Sequence, residues 1–163
     1  VQTIYVPSDE LTDAGVNTIM SFLNTAVVLS RTAAQMGIYP PIDISQSSSS
    51  AVSRALIGED HYEVLTRFQK LHVRYLELAH IVAIVGEDEL SATDRAIYNR
   101  VKKVINYLTQ PFFATESQTG KKGVYVDREI TITDVKQILS GSTDSIPTDR
   151  FLFAGSIKEM QKF

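Results

Sequence analysis

From Asp60 to Val85 the apolar residues Val64, Phe68, Leu71, Tyr75, Leu78, Val82 and Val85 recur at alternating intervals of four and three. Only an α-helix, with its 3.6-residue period, gathers such a series onto one face. Gly86 ends this helix. Ser91, with Asp94 three positions later, is a capping signal for a second one, and Ile97, Val101, Val104 and Leu108 repeat the spacing. Two apolar seams joined by a short turn predict an antiparallel helical hairpin. Gln110-Pro111 closes it, because proline lacks the N–H that the next helical turn needs. The linking turn, Glu87-Asp88-Glu89-Leu90-Ser91-Ala92-Thr93-Asp94, should hold its carboxylates and one exposed leucine, Leu90, at the tip. A solvated tip offers no burial to separate the pKa values of Asp88, Glu89 and Asp94. A charged cap is therefore expected there, not an acid/base pair. A stiff finger of this kind suits docking or leverage.

The N-terminal stretch follows another grammar. Val1 to Pro7 reads as a strand, Ser8 to Gly15 as a polar loop and Val16 to Leu23 as a short helix. Thr25 to Leu29 is β-branched and apolar, hence a second strand, and Ser30 can cap a helix over Arg31 to Met36 that Gly37 ends. Two strands are too few for an independent sheet, and a buried strand needs neighbours on both sides. The segment therefore reads as the edge of a larger sheet in a longer protein, cut upstream of Val1. Pro40 and Pro41 stop regular structure, and Ser47 to Ser50 reads as a flexible loop without a role. Beyond the hairpin, Thr119 to Thr133 reads as loop plus strand, bent at Gly120-Lys121-Lys122-Gly123. Thr133 is expected to cap a helix over Asp134 to Leu139, ended by Gly141, with two short helices from Ile146 to Phe163. The expected fold is mainly α: a C-terminal helical bundle with a hairpin, residues 46–163, behind an incomplete α/β edge, residues 1–45.

Several function classes drop out. The formal net charge is −3, and Lys102-Lys103 and Lys121-Lys122 are too short to track phosphates, so they read as solvated residues and no nucleic-acid partner is expected. Without cysteine there is no disulfide, thiolate metal site or cysteine nucleophile. The patterns G-x-x-x-x-G-K-S/T, G-x-S-x-G and H-E-x-x-H do not occur. No apolar run reaches membrane-spanning length; Ile81 to Val85 is the end of an amphipathic helix. His61, His72 and His80 read as structural. Tyr39, in Gly37-Ile38-Tyr39-Pro40-Pro41, is either a turn tyrosine packed on its neighbours or a rigid aromatic face offered to a base. Phe112 and Phe113, after the helix-breaking proline, read as core, and Arg31 and Arg54 as surface pairs.

Four segments together resemble the beta subunit of the rotary F-type ATP synthase. They are Y-V-P-S-D-E-L-T-D with V-L-S-R-T-A-A-Q-M-G-I-Y-P, then D-E-L-S-A-T-D, then L-T-Q-P-F-F-A-T-E-S-Q-T-G, then I-P-T-D-R-F-L-F-A-G-S-I, in that order along essentially the whole chain. The resemblance implies the last strands of a P-loop ATPase core followed by the C-terminal helical domain. It implies that Tyr39 stacks on the adenine of ATP or ADP, that Phe112 is a second pocket aromatic, and that Thr115 and Gln118 line the same pocket. The family usually has alanine and phenylalanine at those last two positions, so this pocket is more polar. Glu10, Thr12 and Asp13 match a loop that touches the rotating central stalk. Asp88, Glu89, Leu90 and Asp94 match the lever that pushes it, with Ala92 and Thr93 where the family has two glutamates. The arginine that follows the family's version of Ser47 to Ser50 is missing. The P-loop, the catalytic carboxylate and the Mg ligands lie upstream of Val1 in the family, so this chain alone is expected to be inactive and to hold no metal. The implied partners are alpha subunits and the central-stalk gamma subunit in a hetero-hexameric ring. That ring is peripheral to the cytoplasmic or matrix face of an energy-transducing membrane, without direct insertion. The alternative is a non-catalytic interaction module, or an F-type-like paralogue with altered partners.

Overall fold

The two apolar seams become α4 (Glu59–Val85) and α5 (Ala92–Leu108), the arms of a hairpin joined by a 3-10 turn at Glu87–Glu89. The computed structural model describes residues 1–6 and 11–160, and for 118 and 119 the backbone alone. Along α4, Val64, Phe68 and Leu78 are buried, while Leu71, Tyr75 and Val82 are half-buried. Along α5 the buried face is Tyr98, Val101, Val104 and Tyr107, and the expected seam residue Leu108 is 39% exposed. The shift has a cause: α5 packs on α4, on α7 (Arg128–Ser140) and on a 3-10 turn at Thr148–Phe151. A helix enclosed by three neighbours buries a broad arc, and Leu108, its last residue, falls at the edge of it.

One core joins Val64, Phe68, Val101, Val104, Tyr107, Val135, Ile138, Leu139, Phe151 and Ile157. A smaller one at the tip joins Leu78, Leu90 and Tyr98. Leu90 is thus 8% exposed, not the exposed leucine that the acidic turn suggested. Gly86 (φ +92°) reverses the chain, and the 3-10 turn folds Leu90 back between the helices. Ser91 caps α5, its Oγ accepting the Asp94 N–H at 3.1 Å.

Lys103, expected to be solvated, is 3% exposed. Its Nζ donates to the carbonyls of Thr143 (2.9 Å) and Asp144 (3.1 Å), so the ammonium is satisfied by a loop remote in sequence. Burial lowers its pKa, and the Asp144 carboxylate opposes that. Buried Asp134 accepts from the Tyr107 hydroxyl and the Ile157 N–H, each at 2.9 Å, tying α5, α7 and the short α8 (Ile157–Met160) together. Burial first, and then this bond, raises the Tyr107 pKa.

The strand expected between Thr119 and Thr133 is absent from the described structure. Asp127, not Thr133, caps α7, accepting from Glu129 N–H at 2.8 Å. The β-branched run Ile130-Thr131-Ile132-Thr133 is helical because Ile132, Val135, Ile138 and Leu139 then share the face turned to the core. Packing outweighs a propensity difference of a few tenths of a kcal/mol per residue.

In the N-terminal part, residues 1–6 form no strand and Val1 and Tyr5 are exposed; a ladder needs a partner, and the described residues supply none. Asp13 caps α1 (Ala14–Ser21), and Ser30 caps α2 (Arg31–Gln35). Between them lies β1 (Thr25–Ala26), antiparallel to β2 (Ser48–Ser49), with a further bridge from Leu29 to Ile42. Ser47 to Ser50, expected to be a free loop, is therefore paired; the Ser47 Oγ also accepts the Val28 N–H at 3.0 Å. The remaining helices are α3 (Arg54–Ile57), before α4, and α6 (Glu116–Thr119), after α5. The molecule is mainly helical, with its C-terminal helical domain behind a small α/β edge.

Candidate functional site

Tyr39 and Phe112, far apart in sequence, meet where the N-terminal part touches the exit of α5. Tyr39 follows the α2 stop at Gly37 (φ +75°), and its carbonyl accepts the Gln110 N–H at 3.2 Å. Phe112 follows Pro111. The ring centroids lie 6.4 Å apart with an interplanar angle of 81°, an edge-to-face pair. Both rings are open to solvent, Tyr39 at 41% and Phe112 at 38%. Phe112 and Phe113 are therefore not the core residues that an aromatic pair after a helix suggested. A half-open pair of this kind presents π-faces to a planar ligand, and a stacked base is a chemically suitable one.

Thr115 joins this group through its hydroxyl, which donates to the Phe112 carbonyl at 3.1 Å within a 3-10 turn at Phe113–Thr115. The backbone of Gln118 lies in α6; its side chain is outside the described residues. Gln110, read from sequence only as the partner of a helix-breaking proline, organises the junction. Its Nε2 donates to the carbonyls of Tyr107 (2.8 Å) and Gly155 (3.2 Å), and its Oε1 accepts the Gly155 N–H at 3.2 Å. A glutamine that precedes a helix-breaking proline carries no local signal of that role, because Gly155 is distant in the chain.

The residues expected to meet a stalk lie in two places. Glu10 is outside the described residues. Thr12 and Asp13 are exposed at the start of α1, where Asp13 accepts the Gly15 and Val16 N–H groups. At the hairpin tip Asp88 and Glu89 are exposed, with the Asp88 carbonyl accepting from Arg95 Nη2 at 2.6 Å. Asp94 is drawn inward: Arg74 donates to it through Nε (3.2 Å) and Nη2 (2.9 Å), and Ser91 through its hydroxyl (3.1 Å). The bonds from Arg74 and then Ser91 hold its carboxyl below the usual range. Arg74 also pairs with Glu77, so the tip is braced across both helices and inward of Asp88 and Glu89.

His72 stands in an aromatic series, tilted against Phe68 and stacked on Tyr75, which in turn stacks on Tyr98. Among the described residues no group of His, Asp and Glu is arranged to hold a metal, and no helix is long and apolar enough to cross a membrane. An open groove of about 490 Å³ runs along α5, lined by Arg95, Asn99, Lys103 and Asp144, and another of about 300 Å³ lies among Arg54, Tyr62, Arg67 and Lys70. Neither includes Tyr39 or Phe112.

A small α/β edge joined through an aromatic junction to a braced helical hairpin matches the subunit class found by comparison. A family model described as the nucleotide-binding domain of the ATP synthase alpha/beta family matches residues 1–49, and one described as the C-terminal domain of V and A type ATP synthase matches residues 50–146. The chain belongs to the ATP synthase alpha/beta family, with a helical domain of the kind found in the V and A types. Among solved structures it is similar to the one described as a unique ATP synthase subunit, NeqB, from Nanoarcheaum equitans, at 25% identity and a TM-score of 0.70, covering 84% of this chain and 34% of that one. This chain thus spans about a third of the length of that relative.

Proposed function

We propose that this chain is the C-terminal part of a catalytic, beta-type subunit of a rotary ATP synthase or ATPase, with a division near residue 46. In this reading Tyr39 and Phe112 form the adenine-binding wall, with Thr115 and Gln118 beside them, and the hairpin is the lever toward a central stalk. The edge-to-face pair of half-exposed rings at the junction carries the proposal. A base stacked there is held without any group approaching the reacting phosphates, so binding and chemistry are separable. The P-loop, catalytic carboxylate and Mg ligands belong to the remainder of the subunit, and ATP or ADP with Mg is the ligand of the whole. Nucleotide entry draws the helical domain over the site, and the braced tip, with Asp88 and Glu89 outward and Leu90 beneath, transmits the motion to a gamma-like stalk inside a ring shared with alpha subunits. Stiffness suits that task more than charge does, which fits a tip with Ala92 and Thr93.

The test compares ATP with a ribose triphosphate lacking the base, in the full-length subunit. Tyr39→Ala should weaken ATP binding about tenfold or more, the loss of one stacked base, and leave the base-free ligand unchanged. Equal effects on both ligands refute the stacking role.

A second reading is a non-catalytic or partner-altered paralogue. It is favoured by the V and A type match over residues 50–146 and by the reduced tip charge. The upstream reading frame decides: an intact P-loop and catalytic glutamate support the enzyme, and their loss supports the paralogue.

A further inference from the structure

The loop that carries Phe112 is closed by a carboxylate. The chain leaves α5, passes Pro111, makes the 3-10 turn and α6, and returns at Gly123 and Val124. Two bonds close this excursion: Val124 N–H to the Pro111 carbonyl at 3.0 Å, and Gly123 N–H to Glu116 Oε1 at 2.7 Å. The second is charge-assisted, of the stronger kind. Gly123 is buried, and a Cβ there would sit 2.5 Å from Phe113 Cδ1 and 2.6 Å from Phe113 Cα. The backbone and ring of Phe113 thus rest on a bare glycine, and no larger residue leaves them in place. Lys121 Nζ lies 3.7 Å from the Phe153 ring centroid, holding the bend from its other side. On the opposite flank, Gln110 fixes the Tyr39 carbonyl and Gly155.

We propose that Glu116 is a positioning residue for the aromatic pair. Its grip on the Gly123 N–H, with glycine beneath Phe113, holds Phe112 at its angle to Tyr39. The exposed ring faces therefore keep one orientation toward a stacked base. This rests on the adenine reading and adds what fixes the geometry of that site. A side chain that merely favoured the first turn of α6 would be replaceable without effect on either ring.

The experiment uses the isotopically labelled full-length subunit and reads three signals: exchange of the Gly123 amide, the through-space contact between the Tyr39 and Phe112 rings, and their shifts on adding ADP. In Glu116→Ala the Gly123 amide should exchange at least about tenfold faster, as expected for loss of a charge-assisted bond, while core amides such as Val104 and Ile138 keep their protection. The ring contact should be lost, and ADP should bind about tenfold more weakly. Glu116→Gln, which keeps an acceptor oxygen, should restore most of both. Gly123→Ala should displace Phe113 and abolish the ring contact by an independent route. That variant carries the test if Glu116→Ala fails to fold. An unchanged Gly123 amide and an unchanged ring contact in Glu116→Ala, or an unchanged contact in Gly123→Ala, overturn the proposal whatever ADP does. A ring contact that depends on Glu116, in a chain whose rings never respond to ADP, overturns the adenine reading and leaves the positioning role standing.

Discussion

Leu90 stands amid acidic neighbours, yet its side chain packs on Leu78 and Tyr98. Leu90→Ala should cost about 2–4 kcal/mol, the range for a large-to-small change in a packed cluster, read as a shift of the urea midpoint. Asp88→Asn, within the same turn and fully exposed, should stay within about 0.5 kcal/mol. Equal effects would mean that the tip cluster does not form. His72 supplies a pH signature. Burial holds its pKa below 6.5, with the Asp43 carboxylate opposing the shift. The unfolded chain therefore takes up a proton first as pH falls, so stability is full above about 6.5 and declines below it, down to the folded-state value. Thermal melting at pH 7.5 and 5.5 should show a larger loss for the native chain than for His72→Gln. An equal loss would remove His72 as the source.

At the scale of elements, the hairpin was legible because period alone dictates it: the four-three series in α4 admits no other regular structure. Only the second half of α7 was legible: the helix over Asp134 to Leu139 and its stop at Gly141 are found as expected, but the first turns are β-branched and the cap, Asp127, sits outside any apolar rhythm, so a core that includes Ile132 and Val135 decided them. The Ser91 cap was legible, and Ser91→Ala should cost about 1 kcal/mol, with faster amide exchange confined to the first turn of α5. Unchanged exchange there would contradict the capping role. Arg74 was not legible as a brace, since its partner Asp94 lies across the turn. Because Asp94 titrates below its ordinary value, the brace is complete above the usual carboxylate range and is lost as pH falls through the folded-state pKa. The candidate site divides in the same way. Tyr39 and Phe112 entered through family resemblance, while residue chemistry by itself favoured a turn tyrosine and a core phenylalanine. Gln110 and Glu116 act through partners that only the folded chain brings near.

Across the whole molecule, α4, α5, α7 and the Thr148–Phe151 turn share one core, to which the N-terminal part adds Ile44 at the edge. The β1–β2 pair and the aromatic junction are further links between the two parts. Because the sequence contains no P-loop pattern, the chain by itself should release no phosphate from ATP. Magnesium-dependent turnover in a purified sample would contradict that. The most direct test of the central claim is a titration of the labelled full-length subunit with ADP and with base-free ribose diphosphate, following every ring resonance. The account predicts that Tyr39 and Phe112 shift together with ADP, that neither responds to the base-free ligand, and that Tyr39→Ala abolishes the Phe112 response. Silent rings up to millimolar ADP, or shifts confined to the groove at Arg95 and Asn99, would contradict it.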